Sequence, residues 1–168
     1  ADLSNEFRNM NILAVIDEVD WEMEGSAFVA SDINLDFETC DSLTVAQLIN
    51  DDLSVKFNSP MSLDSLLFAV DNTMIEIDRQ MRLLRLDVDT LQQIIPVFNF
   101  AVNAGNNNMI SDYMAVDDIS FDSFDLMLAN NSKLQLNGSA SKFKTGTITL
   151  DDIKVDVSQQ GRFLVYQT

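Results

Sequence analysis

Aspartate is the side chain most available for chemistry in this sequence, since 21 of the 168 residues are Asp and only six are Glu. A short unit recurs around them, in which an apolar residue is followed by Asp, then by Asp or Ser, then by a second apolar residue. Its copies span residues 40–43, 63–66, 116–119, 121–124 and 150–153. Because hard cations bind several carboxylate oxygens, the aspartates in and beside two neighbouring copies are candidate calcium ligands, namely Asp117, Asp118, Asp122 and Asp125.

The same unit has a structural interpretation, which the sequence favours over calcium. In two copies the alternation of apolar residues changes phase, because Phe124 is out of step with Phe121 and Ile153 is out of step with Leu150. A phase change inside a strand indicates an extra residue, as at a β-bulge or at a corner where the strand changes sheet. Asp suits such places because its short carboxylate bonds to nearby backbone N–H groups. The sequence also has no Asp-x-Asp-x-Asp-Gly loop, which weakens the calcium interpretation.

The residue types that most often perform catalysis are scarce. The chain has no His, which removes the commonest general base, every Ser-His or Cys-His pair and most catalytic zinc sites. Paired carboxylates can hydrolyse glycosides, yet among 27 acids such pairs occur by chance. The sequence has no glycine-rich phosphate loop, zinc pattern or basic patch. We therefore expect a protein that is not an enzyme and that needs no cofactor, with calcium as the one alternative.

The charge is strongly one-sided, with 27 acids against 10 bases and a net charge of −17. Nucleic acid and anionic membrane surfaces repel such a chain, so neither is an expected partner. The single cysteine, Cys40, excludes an internal disulfide and is interpreted as a small core residue. The high content of Asp and Asn, the few Lys and the lack of His favour an exported protein. We expect it outside the cell or at the cell surface, with the periplasm as the alternative.

Length and composition predict one packed domain over residues 1–168. Hydrophobic residues make up 46% of the chain, and its five Gly and two Pro argue against disorder. The longest uncharged stretch, residues 90–111, has its apolar part in 94–102, which is too short to cross a bilayer. No transmembrane segment is expected.

Apolar alternation with a period of two predicts a mainly β fold. It runs through residues 11–37, where two hairpins fit, and the last third of the chain predicts an antiparallel meander with strands at 119–128, 134–143, 147–157 and 163–166. The expected fold is this meander, curved into one sheet or packed as a β-sandwich, with one or two helices. Residues 147–157, TITLDDIKVDV, resemble the repetitive strands of AsmA-like periplasmic proteins and of bacterial surface-fibre proteins. Many antiparallel sheets share this likeness, which covers under a third of the chain and names no family.

Two segments show helical features. Residues 43–50 fit a short helix with Ser42 as its N-cap. Apolar residues spaced by three and four predict a helix around residues 73–93 that ends before Pro96, although parts of it also alternate as in a strand. Residues 62–70 fit a helix and a strand equally well.

Strands near both ends of the chain suggest a function in assembly. An exposed edge strand is a template for another chain, and the candidates for strand exchange are Ile12, Ala14, Ile16, Phe163 and Val165. The preferred hypothesis is an exported, non-catalytic structural or adhesive β-domain, a subunit of a fibre-like surface assembly that pairs with its own copies or with another chain. The alternative is a periplasmic or secreted carrier of lipid or another apolar ligand on a curved sheet. Its candidate lining residues are Ile94, Ile95, Phe98 and Phe100.

Overall fold

The computed structural model describes residues 9–23, 26–30, 32–161 and 163–167. In this part of the chain the strands are β1 (Met10–Ile16), β2 (Val19–Met23), β3 (Ser26–Ala30), β4 (Ile33–Cys40), β5 (Leu43–Asn50), β6 (Leu53–Ser59), β7 (Phe98–Ala104), β8 (Ile119–Ser120), β9 (Ser123–Asn130), β10 (Leu134–Thr145), β11 (Ile148–Gln160) and β12 (Phe163–Gln167). The helices are α1 (Leu63–Arg82), α2 (Val88–Ile94) and α3 (Met109–Ala115). None of these helices is long and apolar enough to cross a membrane.

One ten-stranded antiparallel sheet dominates the molecule. Its strand order is β1-β4-β5-β6-β7-β9-β10-β11-β12, and β8 pairs with β10. β2 and β3 form a separate two-stranded sheet. The predicted mainly β fold with an antiparallel meander and helices is therefore confirmed.

The first four strands are nested, whereas residues 11–37 were expected to form two successive hairpins. β1 pairs with β4, and the β2–β3 hairpin lies between them in the chain. This register places Ile12 opposite Phe37 and Ala14 opposite Leu35, so apolar side chains of β1 and β4 share one face. Pairing β1 with the next strand along the chain would lose this match.

The short helix expected at residues 43–50 is wrong, because this segment is strand β5. Residues 41 and 42 form the turn from β4, so Ser42 is a turn residue rather than a helix cap. Across this turn, the hydroxyl oxygens of Thr39 and Thr44 lie 3.0 Å apart. β5 pairs with β4 and β6 on its two sides, and these ladders override a weak local helix preference.

The helix expected around residues 73–93 exists, but it begins earlier and is interrupted. α1 begins at Leu63, where the Ser62 side chain accepts a hydrogen bond from the Ser65 N–H at 3.3 Å. It ends at Arg82, and the N–H groups of Leu84 and Arg85 donate to the carbonyls of Met81 and Gln80 in a Schellman-type ending. A new cap, Asp87, accepts from the Thr90 N–H at 3.1 Å and starts α2.

The predicted phase change is present, but in three neighbouring strands at once. The pairing of β10 with β9 and β8 has the same register before and after Lys142, and so has its pairing with β11. Lys142 itself interrupts the ladders and has a φ of +47°. The interruption is therefore not a bulge of a single strand. Phe121 and Phe143 pack into the same core as Phe124, although they lie beyond the phase change. The change keeps the apolar side chains of all these strands on one side of the sheet.

α3 is held over this core by a polar network. The core cluster comprises Leu53, Val102, Ala104 and Phe121, and α3 packs Met109, Ile110 and Met114 against it. The Asp52 carboxylate accepts from the Asn107 N–H at 3.1 Å and from Asn108 Nδ2 at 2.6 Å. Asn108 in turn caps α3, accepting from the Ile110 N–H at 3.0 Å. The turn between β5 and β6 therefore fixes the start of α3.

Gly105 leaves room for this network, which yields a stability prediction. A Cβ atom at Gly105 would lie 2.1 Å from Asp52 Oδ2, so Gly105→Ala must displace the carboxylate and break its hydrogen bonds. We expect the free energy of unfolding, measured by urea denaturation, to fall by about 1–3 kcal/mol. Gly138→Ala is the control, because a Cβ there meets its nearest atoms at 3.9 Å. Equal stability of the two variants would contradict the role of the Asp52 network.

Candidate functional site

One face of the large sheet carries a continuous row of apolar residues. Nine strands contribute one residue each, and neighbours in the row are directly paired: Ile12, Phe37, Ala46, Phe57, Phe100, Leu128, Leu136, Val157 and Tyr166. Directly paired residues point to the same side of a sheet, so the row crosses from one outer strand to the other. A second row lies two residues away from the first in eight of these strands: Ala14, Leu35, Leu48, Val55, Val102, Leu126, Gly138 and Val155. We call these two rows the apolar face.

The opposite face of the same strands is mainly polar. One of its rows contains Asp36, Gln47, Lys56, Ala101, Met127, Asn137 and Asp156. A depression of about 450 Å³ lies on this side, but polar side chains around it bond to each other, as Asn103 Nδ2 does to Asp125 Oδ1 at 2.6 Å. The sheet is therefore amphipathic, as expected where one side meets water and the other is covered.

The apolar face is covered only in part. α3 packs on the end that contains Leu53, whereas Phe37, Phe57 and Leu136 near the middle remain half-buried. Towards the outer strands, Ile12 and Tyr166 are 40% and 74% exposed. The apolar face therefore continues beyond the part on which α3 packs.

The four predicted lining residues separate into two pairs. Phe100 belongs to the apolar face, and Phe98 lies two residues before it and stacks on Phe57 with ring centroids 6.2 Å apart. Ile94 instead lines a cavity of about 530 Å³ beside α1, and Ile95 follows α2 and accepts from the Asn130 side chain through its carbonyl. The sequence cluster thus does not form one pocket. Its two phenylalanines lie on the apolar face, which is much larger than the predicted cluster.

The predicted strand-exchange residues lie on the two outermost strands of the sheet. Ile12, Ala14 and Ile16 are in β1, and Phe163 and Val165 are in β12. Each of these strands pairs on one side only among the described strands. Ile16 and Phe163 are 48% and 74% exposed, respectively. The sheet therefore ends on both sides in an apolar strand.

The four predicted calcium ligands are not brought together. Asp122 forms an ion pair with Lys142 at 3.0 Å, and this partner raises the pKa of Lys142. Asp125 bonds to Asn103, whereas Asp117 and Asp118 lie in the turn that follows α3. Among the described residues, no group of three or more Asp, Glu, Cys or His is placed to hold a metal ion. The aspartates serve turns and local pairs here, and calcium binding stays an untested prediction.

A polar cluster between α1 and α2 is absent from the sequence-based expectations. Glu76 is 9% exposed and accepts from Arg79 Nε at 2.7 Å and from Gln80 Nε2 at 2.8 Å. These two hydrogen bonds lower the pKa of Glu76 to about 2, and the bond from Arg79 has the larger effect. Gln80 also accepts from the Asp87 N–H at 2.7 Å, so the cluster joins α1 to the cap of α2. The spacing of Glu76, Arg79 and Gln80 at i, i+3 and i+4 is the signal that the sequence offered.

Because its pKa is lowered, Glu76 gives the protein an acid-dependent stability. The carboxylate contributes its full stabilisation above about pH 4.5, its ordinary pKa, and loses it as the pH falls through about 2. We expect Glu76→Gln to lower the urea midpoint at pH 7 and to flatten its decline over that acid range. Asp71→Asn removes an exposed carboxylate from the same helix and is the control for net charge. A wild-type pH profile for Glu76→Gln would contradict this role.

Comparisons with models of known protein families, with curated proteins and with solved structures gave no match. The described polar groups with displaced pKa values are held in pairs and caps, as Glu76 is by Arg79 and Lys142 by Asp122. The apolar face and the outer strands that continue it are the candidate functional site.

Proposed function

We propose that this chain is a non-catalytic β-domain that binds an elongated apolar ligand, such as a lipid, on its apolar face. Of the two functions expected from the sequence, this is the alternative one. The observation that carries it is the row of apolar residues that crosses nine strands without a polar interruption. Composition supports an extracellular, surface or periplasmic setting for such a protein.

The dimensions of the apolar face suit a long ligand rather than a compact one. Nine strands give eight spacings of about 4.8 Å, so the row extends across roughly 38 Å. The residues along it are uncharged and half-buried over most of this length, which supports contact with a flexible hydrocarbon chain that needs no hydrogen bonds. Apolar ligands of this kind gain free energy in proportion to the area that they cover.

The polar face explains how such a surface can be carried in water. Its carboxylates and amides are exposed or bonded to each other, as with Asn103 and Asp125, and the net charge of −17 opposes collapse of one molecule onto another. Binding requires no general acid, base or nucleophile, in keeping with a chain that has no His.

A second candidate function, assembly through strand pairing, is favoured by the two outer strands. β1 and β12 end the sheet on opposite sides, and both belong to the apolar row through Ile12 and Tyr166. If β12 of one copy pairs with β1 of the next, the contact is heterologous and generates a ring, or an open filament where the rotation between copies does not close. The apolar faces of successive copies would then join into one longer surface, so the two candidate functions are compatible.

Ligand binding on the apolar face can be located by fluorescence quenching. In a Trp21→Phe background, Leu136→Trp places an indole on the apolar face, and Met127→Trp places one on the polar face of the adjacent strand. We expect a bromine-labelled fatty acid to quench the L136W variant several-fold more strongly than the M127W variant. Circular dichroism checks that both variants keep the fold. Equal quenching, or no saturable quenching in either variant, would refute the proposal.

Assembly through the outer strands predicts concentration-dependent association that edge charges abolish. Lysine on an edge strand opposes pairing with another chain. We expect Ile12→Lys with Val165→Lys to leave the protein monomeric in sedimentation velocity, whereas the wild type forms larger species as its concentration rises. The control is Ile49→Lys with Met127→Lys, which adds the same charge at exposed positions of β5 and β9 that are paired on both sides. A wild type that stays monomeric at every concentration rules this function out.

A further inference from the structure

Helix α1 is turned with its polar stripe inward and much of its apolar surface outward. The buried residues of this helix are Leu66, Thr73, Glu76 and Gln80. By contrast, Leu67, Met74 and Met81 are 57%, 61% and 69% exposed. A surface helix normally shows the opposite arrangement. The outward side of α1 therefore has the composition of a surface that another element covers.

Several of the apolar residues of α1 follow a heptad pattern. Steps of three and four residues alternate through Leu67, Val70, Met74, Ile77, Met81 and Leu84, of which Ile77 is half-buried and Leu84 lies two residues beyond the helix. We call this set the α1 stripe. Such a repeat is the seam with which one helix packs along another, since it keeps one side facing the partner over several turns. The pattern indicates a helical partner rather than a strand or a loop.

Leu84 extends the α1 stripe at an unusual position. It has a φ of +48°, in the left-handed region where glycine is favoured, and its side chain is 95% exposed. The Schellman-type ending of α1 requires this conformation, but packing within the chain does not require a leucine there. Beside it, Ile77, Met81, Leu86 and Leu91 help to line a cavity of about 370 Å³, a size that admits an anchoring side chain.

The charges along the α1 stripe select the kind of partner. Asp64, Asp71 and Asp78 lie one heptad apart and follow one border of the stripe, and α2 occupies the other side of α1. Asp78 pairs with Arg82 at 2.8 Å, whereas Asp64 and Asp71 form no ion pair with the described residues. A second copy packed antiparallel would bring Arg82 and Arg85 towards these aspartates, but both arginines already pair within the chain, with Asp78 and Asp87. That copy would also add a further charge of −17 to the contact. Basic residues beside the partner's seam would instead be attracted.

We propose that the α1 stripe docks an amphipathic helix of a different protein, whose apolar seam is flanked by Lys or Arg. The contact is the helix-in-groove mode, in which apolar anchors at i, i+3, i+4 and i+7 supply the affinity. The basic flanks supply orientation and a faster association. This docking surface lies on a different element from the apolar face, so it adds a protein partner to the proposed ligand.

Designed peptides test both parts of this proposal. The probe is a synthetic helical peptide with Leu at its a and d positions and Lys at the flanking positions. One comparison peptide has Glu at the flanks, and another keeps Lys but has Ser at the a and d positions. We expect the Leu–Lys peptide to bind the whole chain saturably at one to one, and each comparison peptide to bind at least tenfold more weakly in calorimetry or fluorescence anisotropy.

Paired variants separate the α1 stripe from general attraction to an acidic protein. Met74→Ser with Met81→Ser changes two exposed side chains and should lower the affinity for the Leu–Lys peptide at least tenfold. Leu150→Ser, which changes an exposed side chain of β11, should leave that affinity unchanged. Asp64→Asn with Asp71→Asn should weaken binding more than Asp41→Asn with Asp152→Asn, which removes the same charge elsewhere. Circular dichroism confirms the fold of each variant.

Three results would overturn the proposal. The first is equal binding of the Glu-flanked and Lys-flanked peptides, and the second is unchanged affinity in the variant with Met74→Ser and Met81→Ser. The third is a wild-type dimer in sedimentation velocity that the same variant converts to a monomer, because a second copy would then cover the α1 stripe. None of these results depends on lipid binding at the apolar face.

Discussion

The register of the antiparallel ladders is the constraint on which the rest of the structure depends. Because side chains alternate along a strand, a slip of one residue in any ladder would bring a polar side chain into the apolar row. Tight turns fix this register at several points, with Asp51, Gly146 and Gly161 in the left-handed region at φ values of +49°, +55° and +60°. Aspartate and glycine in the turns therefore act indirectly on the apolar face, by setting which residues of neighbouring strands meet.

Polar residues at one end of the same face position the α1–α2 pair. Thr44 Oγ1 donates to the Met61 carbonyl at 2.8 Å, and Ser59 Oγ donates to the Val97 carbonyl at 2.7 Å. These bonds hold the chain just before α1 and just after α2. Asn130, 3% exposed, donates to the carbonyl of Ile95 at 2.8 Å. α1 and α2 are thus attached by hydrogen bonds at the ends of interior strands, which leaves the middle of the apolar face without a tightly packed cover.

The sequence predicted the parts of the fold that depend on local alternation. The meander from β9 to β12 was recognisable because each strand alternates and Gly146 and Gly161 mark its turns. Residues 43–50 were assigned to a helix because their strand identity comes from ladders with β4 and β6, which no local pattern reveals. The nesting of β2–β3 inside β1–β4 is likewise a choice between long-range pairings. The end of α1 was missed because a leucine, Leu84, occupies the position where a glycine would have signalled it.

The candidate site was predictable in kind but not in extent. Each strand has an apolar period of two, yet only the registers of the ladders show that the apolar residues of nine strands align into one row. Phe98 and Phe100, which the sequence did single out, are a small part of that surface. The calcium hypothesis placed aspartates together in space because they are close in the sequence. In the structure, Asp122 pairs with Lys142 and Asp125 bonds to Asn103, so these carboxylates have separate partners. A chain with a net charge of −17 gains solubility from such dispersed carboxylates, and among the described residues no three of them are placed to hold one metal ion. The same acidity that keeps open apolar surfaces in water favours the proposed apolar ligand and the proposed basic helix over strongly anionic partners.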